Sequence, residues 1–309
     1  MRTIIIGHQQ PDLDSISAAL IYTEFLKKQG EKNVVAGYCD IINDETRYIL
    51  DKFKIDPPRL FKKADIKNDD RFILVDHNEK DQRLPGINDD QIFAIIDHHK
   101  ASFNFNQPIK IDIRPWGSTS TIVYDYFLKN NLKPSLGATQ ILLSAILSDT
   151  IGLKSPTTTD IDQWVAKKLA LATSLKISDF AFEIFKAKSK IDHLTPKEIA
   201  LKDHKVFDFG GKKVFINQIE TVEQRKTLEQ KTKLIEAMKS IKLQKKSDYA
   251  YCLISDILKV NTKILFTNKK EQEIAERAFG GKAIEGVLDI GPRISRKKQI
   301  APLIGKTIK

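Results

Sequence analysis

Cysteine is nearly absent from this chain. Its 309 residues include only Cys39 and Cys252, too few and too far apart for a disulfide framework or a cysteine-based zinc site. Long apolar runs are missing as well. None approaches the roughly 20 residues that a membrane-spanning helix needs, so no membrane partner is expected. The opening Met1-Arg2-Thr3-Ile4 lacks the layout of a signal peptide, and a reducing cytoplasm is the expected location. Repeats and low-complexity tracts are absent too. Lysines are abundant but rarely interleaved with aromatics, which argues against a single-strand-binding groove. What remains is a chain that is 41% apolar, enough to bury a substantial core, and of a length suited to two domains. Lys and Arg number 51 against 40 Asp and Glu, a balance of +11. That excess favours anionic partners, whether phosphates, nucleic acid or anionic lipid, although a solvated lysine surface is a simpler reading than a nucleic-acid groove.

Around this the sequence is organised by one stretch, Gly7-His8-Gln9-Gln10-Pro11-Asp12-Leu13-Asp14-Ser15. The apolar run Ile4–Ile6 leads in. A helical pattern of Ile16, Ala19, Leu20, Tyr22 and Phe25 leads out, with Ser15 the expected N-cap. One imidazole and two carboxylates therefore sit at a strand tip, where parallel sheets bind ligands. A loop packed with His-x3-Asp-x-Asp repels itself unless a cation neutralises it.

The pattern recurs. Phe72–Val75 ends in Asp76-His77-Asn78, and Ile92–Ile96 ends in Asp97-His98-His99. Both runs suit strands buried on two faces. Val34–Ala36 reads as another strand, and Lys110–Ile113 as an edge strand. The buried helical pattern from Ser135 to Leu147 ends in Ser148-Asp149-Thr150, where the helix dipole disfavours a carboxylate. Gly117–Thr121 opens a helix whose N–H groups face either an anion or a simple cap. Further helices are expected at 45–53, 159–172, 179–187, 223–239 and 271–279. A hairpin is expected at 206–216, and strands at 249–257 and 263–266. The fold class is thus α/β: a doubly wound, mainly parallel sheet in 1–188, a hinge at 189–196, and a smaller α/β domain in 197–309.

Four of the six histidines and at least five carboxylates gather at these strand ends. Imidazole and carboxylate without thiolate suit Mn, Co, Fe or Zn, with Mg also compatible. The carboxylates exceed the needs of one ion, whereas two ions about 3.5–4 Å apart would use them all and activate a water against phosphorus.

With those motifs in view, the chain resembles the DHH phosphoesterases, whose first motif matches 8–15. Asp76-His77-Asn78, Asp97-His98-His99 and Ser148-Asp149-Thr150 resemble the second, third and fourth. Ser295-Arg296-Lys297-Lys298-Gln299 further resembles the C-terminal signature of the manganese-dependent (family II) inorganic pyrophosphatases, and Lys205 their third cationic position. Gln10 and Leu13 depart from the common pattern at positions that are not ligands.

The resemblance implies hydrolysis of pyrophosphate with Mn or Co bound and Mg accompanying the substrate. His8 and Asp12 would bind one metal, Asp14 and His98 the other, and Asp76 and Asp149 both. His99 would touch the phosphate and protonate the leaving group. Lys205, Arg296 and Lys297 would grip pyrophosphate, while Asp97 and His77 would support the ligands. A homodimer through the N-terminal domain and closure about 188–196 are also implied. Two other readings stand beside this one. The first is a DHH-family exopolyphosphatase or oligonucleotide or nucleotide phosphoesterase. The second is a basic nucleic-acid-binding protein without activity.

Overall fold

The computed structural model describes every residue except Asp192 and Lys309. The chain divides into two compact units, Met1–Ala187 and Lys188–Lys309.

In the first unit the elements run β1 (Thr3–Ile6), α1 (Leu13–Lys28), β2 (Val34–Tyr38), α2 (Asp44–Phe53), β3 (Arg59–Leu60), β4 (Arg71–Val75), β5 (Ile92–Asp97) and β6 (Lys110–Ile113). Helices α3 (Thr119–Lys129), α4 (Leu136–Asp149), α5 (Asp160–Thr173) and α6 (Ile177–Lys188) follow. The strands form one sheet in the order β3-β2-β1-β4-β5-β6, every pairing parallel. Winding reverses between β1 and β4, which puts the expected ligand-binding crevice at their carboxyl ends. Both faces are apolar. Ile5, Ile73, Val75, Ala94 and Ile96 pack against residues of α1 to α6. Ile4, Ile6, Phe72, Leu74 and Ile95 face the other way, onto Phe61, Leu84 and Ile87 from the connecting segments. The continuous Ile/Val/Phe runs of β1, β4 and β5 have this two-sided burial as their cause.

The second unit contains α7 (Pro196–Lys202), β7 (His204–Phe209), β8 (Lys212–Thr221), α8 (Gln224–Leu228), α9 (Lys231–Gln244), β9 (Tyr249–Asp256), β10 (Asn261–Phe266), α10 (Lys269–Phe279) and β11 (Val287–Asp289). A π-helical turn over Arg296–Ile300 then runs into α11 (Ala301–Ile308). The sheet order is β11-β10-β9-β8-β7. Only β8 and β9 are parallel; the other pairs are antiparallel. One face packs on α10 and α11 through Ile274, Ile300 and Ile304. The other packs on α7 and α9 through Ile199, Leu234, Met238 and Ile241.

Several local expectations need correction. Asp12, not Ser15, caps α1: its carboxylate accepts from Ser15 N at 3.0 Å. An Asp three residues ahead of the amide it receives fits the cap geometry, whereas Ser15 already lies within the first turn. The single helix expected over 223–239 is two, α8 and α9, broken at Glu229 and Gln230. Pro196 lies inside a helix, taking the first turn of α7 where its missing N–H costs nothing. Thr195 and Glu198 close a capping box ahead of it. Asp192, within the expected hinge, lies outside the described residues. Cys39 and Cys252 form no disulfide. Among the described residues no helix is long and apolar enough to cross a membrane.

Candidate metal centre

The tip of β1 turns sharply because Gly7 has no side chain. A Cβ there would lie 1.7 Å from Ser15 Oγ, so only glycine lets the strand end press onto the start of α1. His8 follows. Its Nδ1 sits 2.7 Å from the Gln9 carbonyl, which can only accept, so the proton is on Nδ1 and Nε2 points into the site. There Nε2 lies 3.6 Å from Asp12 Oδ1 and 3.5 Å from Asp76 Oδ2.

Asp76 ends β4 with φ at 62°, a left-handed conformation that Asp tolerates better than most residues. The carboxylate is buried, and its two oxygens face different neighbours. Oδ2 makes no hydrogen bond and faces His8. Oδ1 accepts from Thr119 Oγ1 at 2.9 Å and lies 3.5 Å from His98 Nε2. His98 repeats the arrangement of His8. Its Nδ1 is 3.0 Å from the Trp116 carbonyl, and its Nε2 is also 3.7 Å from Asp149 Oδ2. Two ligands of one ion, each at about 2.1 Å and near the tetrahedral angle, are themselves about 3.4 Å apart. The spacings here match that separation.

Asp14, wholly buried in the first turn of α1, answers the question left by the Ser/Thr cluster at 117–121. Ser118 Oγ and Ser120 N donate to its Oδ1 at 2.8 and 2.9 Å, and Thr119 N donates to Oδ2 at 2.6 Å. The anion at the N-terminus of α3 is Asp14 itself. Donor atoms fall into overlapping sets, each with its atoms within 4.8 Å of one another: His8, Asp12 and Asp76; Asp14, Asp76, His98 and Asp149; and Asp76, His98 and His99.

The electrostatics show what such a cluster costs without cations. Burial, then Asp14 and Asp12, push the Asp76 carboxyl well above the usual range. Burial, Asp14, Asp12 and Asp76 do the same to Asp149. Burial disfavours the charged His8 ring, but Asp12 and Asp76 outweigh it and hold it protonated up to about 11. Protons thus take the positions that divalent cations fit. An orphaned buried carboxylate oxygen, a purely N and O donor set and mutually repelling carboxylates all suit Mn-type ions.

His99 stands apart, half exposed. Its Nδ1 is 3.0 Å from Asp97 Oδ1 and 3.8 Å from Asp76 Oδ1. The hydrogen bond to Asp97 raises its pKa against the cost of burial. Asp97 belongs to none of the donor sets. Instead it accepts from the backbone N–H groups of His98 and His99 at 2.7 and 3.1 Å and from Asn78 Nδ2 at 2.5 Å. His77 is likewise outside the sets. It is buried, its Nδ1 on the Val75 carbonyl at 2.9 Å and its ring edge-on to His8. Burial drops its pKa to about 4 and keeps it neutral.

In the second unit, Lys205 and Arg296 each neighbour Ile216. Lys205, exposed on β7, pairs with Ile216 in the β7–β8 register. Arg296 Nη1 reaches the Ile216 carbonyl at 3.4 Å and the Asp203 carbonyl at 2.9 Å, and its Nη2 pairs with Asp203 Oδ1 at 2.6 Å. Lys297 is exposed on the next position of the same turn. Asp203 and Asn78 were missed by sequence reasoning. Their partners lie 93 and 19 positions away, with no local signal to link them.

Comparison with known proteins finds relatives along the whole chain. The model of the DHH family, N-terminal domain, matches residues 2–148, and that of the DHHA2 domain matches residues 182–307. A manganese-dependent inorganic pyrophosphatase of Methanocaldococcus jannaschii is 37% identical over 96% of each chain. One from Methanothrix thermoacetophila is 34% identical over 99% of this chain and 98% of its own. A Methanococcus jannaschii crystal structure assigned to family II inorganic pyrophosphatases superposes with a TM-score of 0.63 at 34% identity, covering 99% of both chains. At 34–37% identity over nearly its whole length, this chain belongs to the family of manganese-dependent, or family II, inorganic pyrophosphatases.

Proposed function

We propose that the protein hydrolyses inorganic pyrophosphate to two phosphates, with Mn (or Co) held at the β1, β4 and β5 tips and Mg arriving with the substrate. The observation that carries this reading is Asp76, whose two oxygens face two different donor sets. His8 and Asp12 with Asp76 would hold one ion; Asp14 and His98 with Asp76 and Asp149 would hold the second. Such a pair supplies a nucleophilic water at neutral pH and neutralises charge on phosphoryl oxygens.

The chain's own groups do the rest. The Gln9 and Trp116 carbonyls fix the tautomers of His8 and His98, so that both present Nε2 lone pairs. Three donors hold Asp14 in a single orientation. Lys205, Arg296 and Lys297 grip the phosphate oxygens where negative charge grows. As water adds to one phosphorus and the bridging P–O bond breaks, the protonated His99, oriented by Asp97, gives its Nε2 proton to the leaving phosphate. Closure of the second unit on the first, about the segment after α6, would bring the cations to the metals and exclude bulk water. A cytoplasmic homodimer formed through the first unit belongs to the same reading, and light scattering tests it.

Phosphate release from pyrophosphate, polyphosphate and a short oligonucleotide, each with Mn and then Mg, tests the proposal. Pyrophosphate should be hydrolysed fastest, with Mn. Negligible release from it alongside clear release from either other substrate overturns the reading.

A further inference from the structure

Asp162 makes an unusual number of contacts for a helix-capping residue. It lies in the first turn of α5, wholly buried. Its Oδ2 accepts from Thr159 N at 2.8 Å and from the Thr159 hydroxyl at 2.6 Å, which is the capping role. Two further bonds leave the helix. Gly117 N donates to Oδ2 at 2.8 Å, and Thr121 Oγ1 donates to Oδ1 at 2.6 Å. Asp162 therefore grips the 116–121 segment at both ends.

That segment is the scaffold of one donor set. The Trp116 carbonyl holds the His98 ring. Ser118, Thr119 and Ser120 hold Asp14, and Thr119 also reaches Asp76. The packing leaves no slack. A Cβ at Gly117 would stand 2.8 Å from Asp162 Oδ2 and 2.7 Å from Thr150 Cγ2, the residue after Asp149.

Resting on the two-ion reading above, we infer that Asp162 is a positioning residue for the ion held by Asp14 and His98, acting through the 116–121 segment without touching the ion. The His8–Asp12 set takes His8 and Asp12 from the β1 turn and touches the segment only through the Thr119 bond to Asp76 Oδ1, the oxygen that does not face His8. Removing Asp162 frees the segment at both ends. Asp14 and His98 then lose their fixed directions, while His8 keeps its bond to Gln9.

Calorimetric titration of chelator-stripped full-length protein with Mn tests this. Wild type should take up two ions, and Asp14→Asn should lose one. Asp162→Ala should raise the Mn concentration that half-fills the Asp14–His98 site at least about tenfold, as loss of an orienting partner does elsewhere, and shift the His8–Asp12 site less, since only the shared Asp76 links it to the segment. Asp162→Asn should restore binding, because its amide oxygen can take the three donors at Oδ2 while its NH2 donates to the Thr121 hydroxyl. Gly117→Ala, which removes no donor or acceptor and presses one methyl against Asp162 and Thr150, should weaken the same site even where Asp162→Ala does not fold. Thr159→Ala, which removes only the cap, should lower Tm and keep the wild-type isotherm.

The inference is overturned if Gly117→Ala and Asp162→Ala bind two ions as wild type does. It is overturned equally if Thr159→Ala weakens the site as much as Asp162→Ala. Failure of wild type to bind two ions, or of Asp14→Asn to lose one, would instead sink the two-ion reading and this inference with it.

Discussion

The two units of this protein differ in charge as much as in fold. Residues 1–187 carry 24 Lys and Arg against 25 Asp and Glu, whereas 188–309 carry 27 against 15. The whole positive excess of the chain sits in the second unit. The first unit is near neutral overall, yet it gathers its carboxylates at the tips of a wholly parallel sheet. The second spreads lysines over a mixed sheet and its helices. A cluster of buried acids calls for metal cations, and a basic surface calls for an anion. One chain thus offers opposite charges to the two components that phosphoryl transfer needs.

The largest effect should come from the residue that joins the donor sets. Asp76→Ala should lower pyrophosphate hydrolysis by roughly 10³-fold or more and strip bound Mn, checked by phosphate release and metal analysis of the same sample. Full activity in protein that holds no Mn would break the comparison at its centre.

Next comes the second unit. Arg296→Ala should cost about 10²-fold in kcat/KM with Mn content unchanged. Equal loss of metal from Arg296→Ala and Asp149→Ala would show that the division between units is wrong.

A third measurement is thermal stability against pH. In the stripped protein, burial and carboxylate neighbours raise Asp76 and Asp149 above their unfolded values. Against the cost of burial, Asp12 and Asp76 raise His8 to about 11. Each group binds its proton more tightly when folded, so each contributes stability that is full below its unfolded pKa and lost as pH rises through its folded one. Stripped protein should therefore melt at a lower temperature at pH 8 than at pH 5. Saturating Mn should flatten or reverse that slope, because the ions replace the protons. A stripped protein with greater stability at pH 8 would contradict the electrostatics of the site.

The smallest effect concerns the basic surface. Lys245→Gln with Lys246→Gln, at the exposed end of α9, should lower kcat/KM by less than about twofold and make its fall with added salt shallower. The matching pair Lys167→Gln with Lys168→Gln on the first unit should leave the salt dependence alone. Equal effects from the two pairs would mean that the charge of the second unit has no part in collecting substrate.

Much of the site is legible in the sequence. The Ile/Val/Phe runs of β1, β4 and β5 end in His and Asp, and in a parallel sheet neighbouring tips converge. The positions of His8, Asp76 and His98 follow from pattern and topology rules together. Less was legible where a polar group has its partner far along the chain. The Ser/Thr cluster at 117–121 reads equally as an anion site and as a simple cap. That its anion is Asp14, 104 positions from Ser118, has no trace in local sequence. Nor does the use of Asp162 to hold that segment, since an Asp after Thr159 reads fully as a capping box. The break between α8 and α9 was hidden for the opposite reason: helix formers on both sides of Glu229 and Gln230 left no punctuation to see.

The sequence alone determined the alternation of buried strands and helices, the residues at the strand ends and the excess of positive charge, because periodicity, side-chain type and net charge are properties of the chain in one dimension. Only the tertiary structure decided which oxygen of Asp76 faces which histidine, which carbonyl holds the His98 ring and which anion the 117–121 cluster caps. Those depend on hydrogen bonds and packing between segments tens of residues apart, and directions in space are not encoded in spacing along the chain.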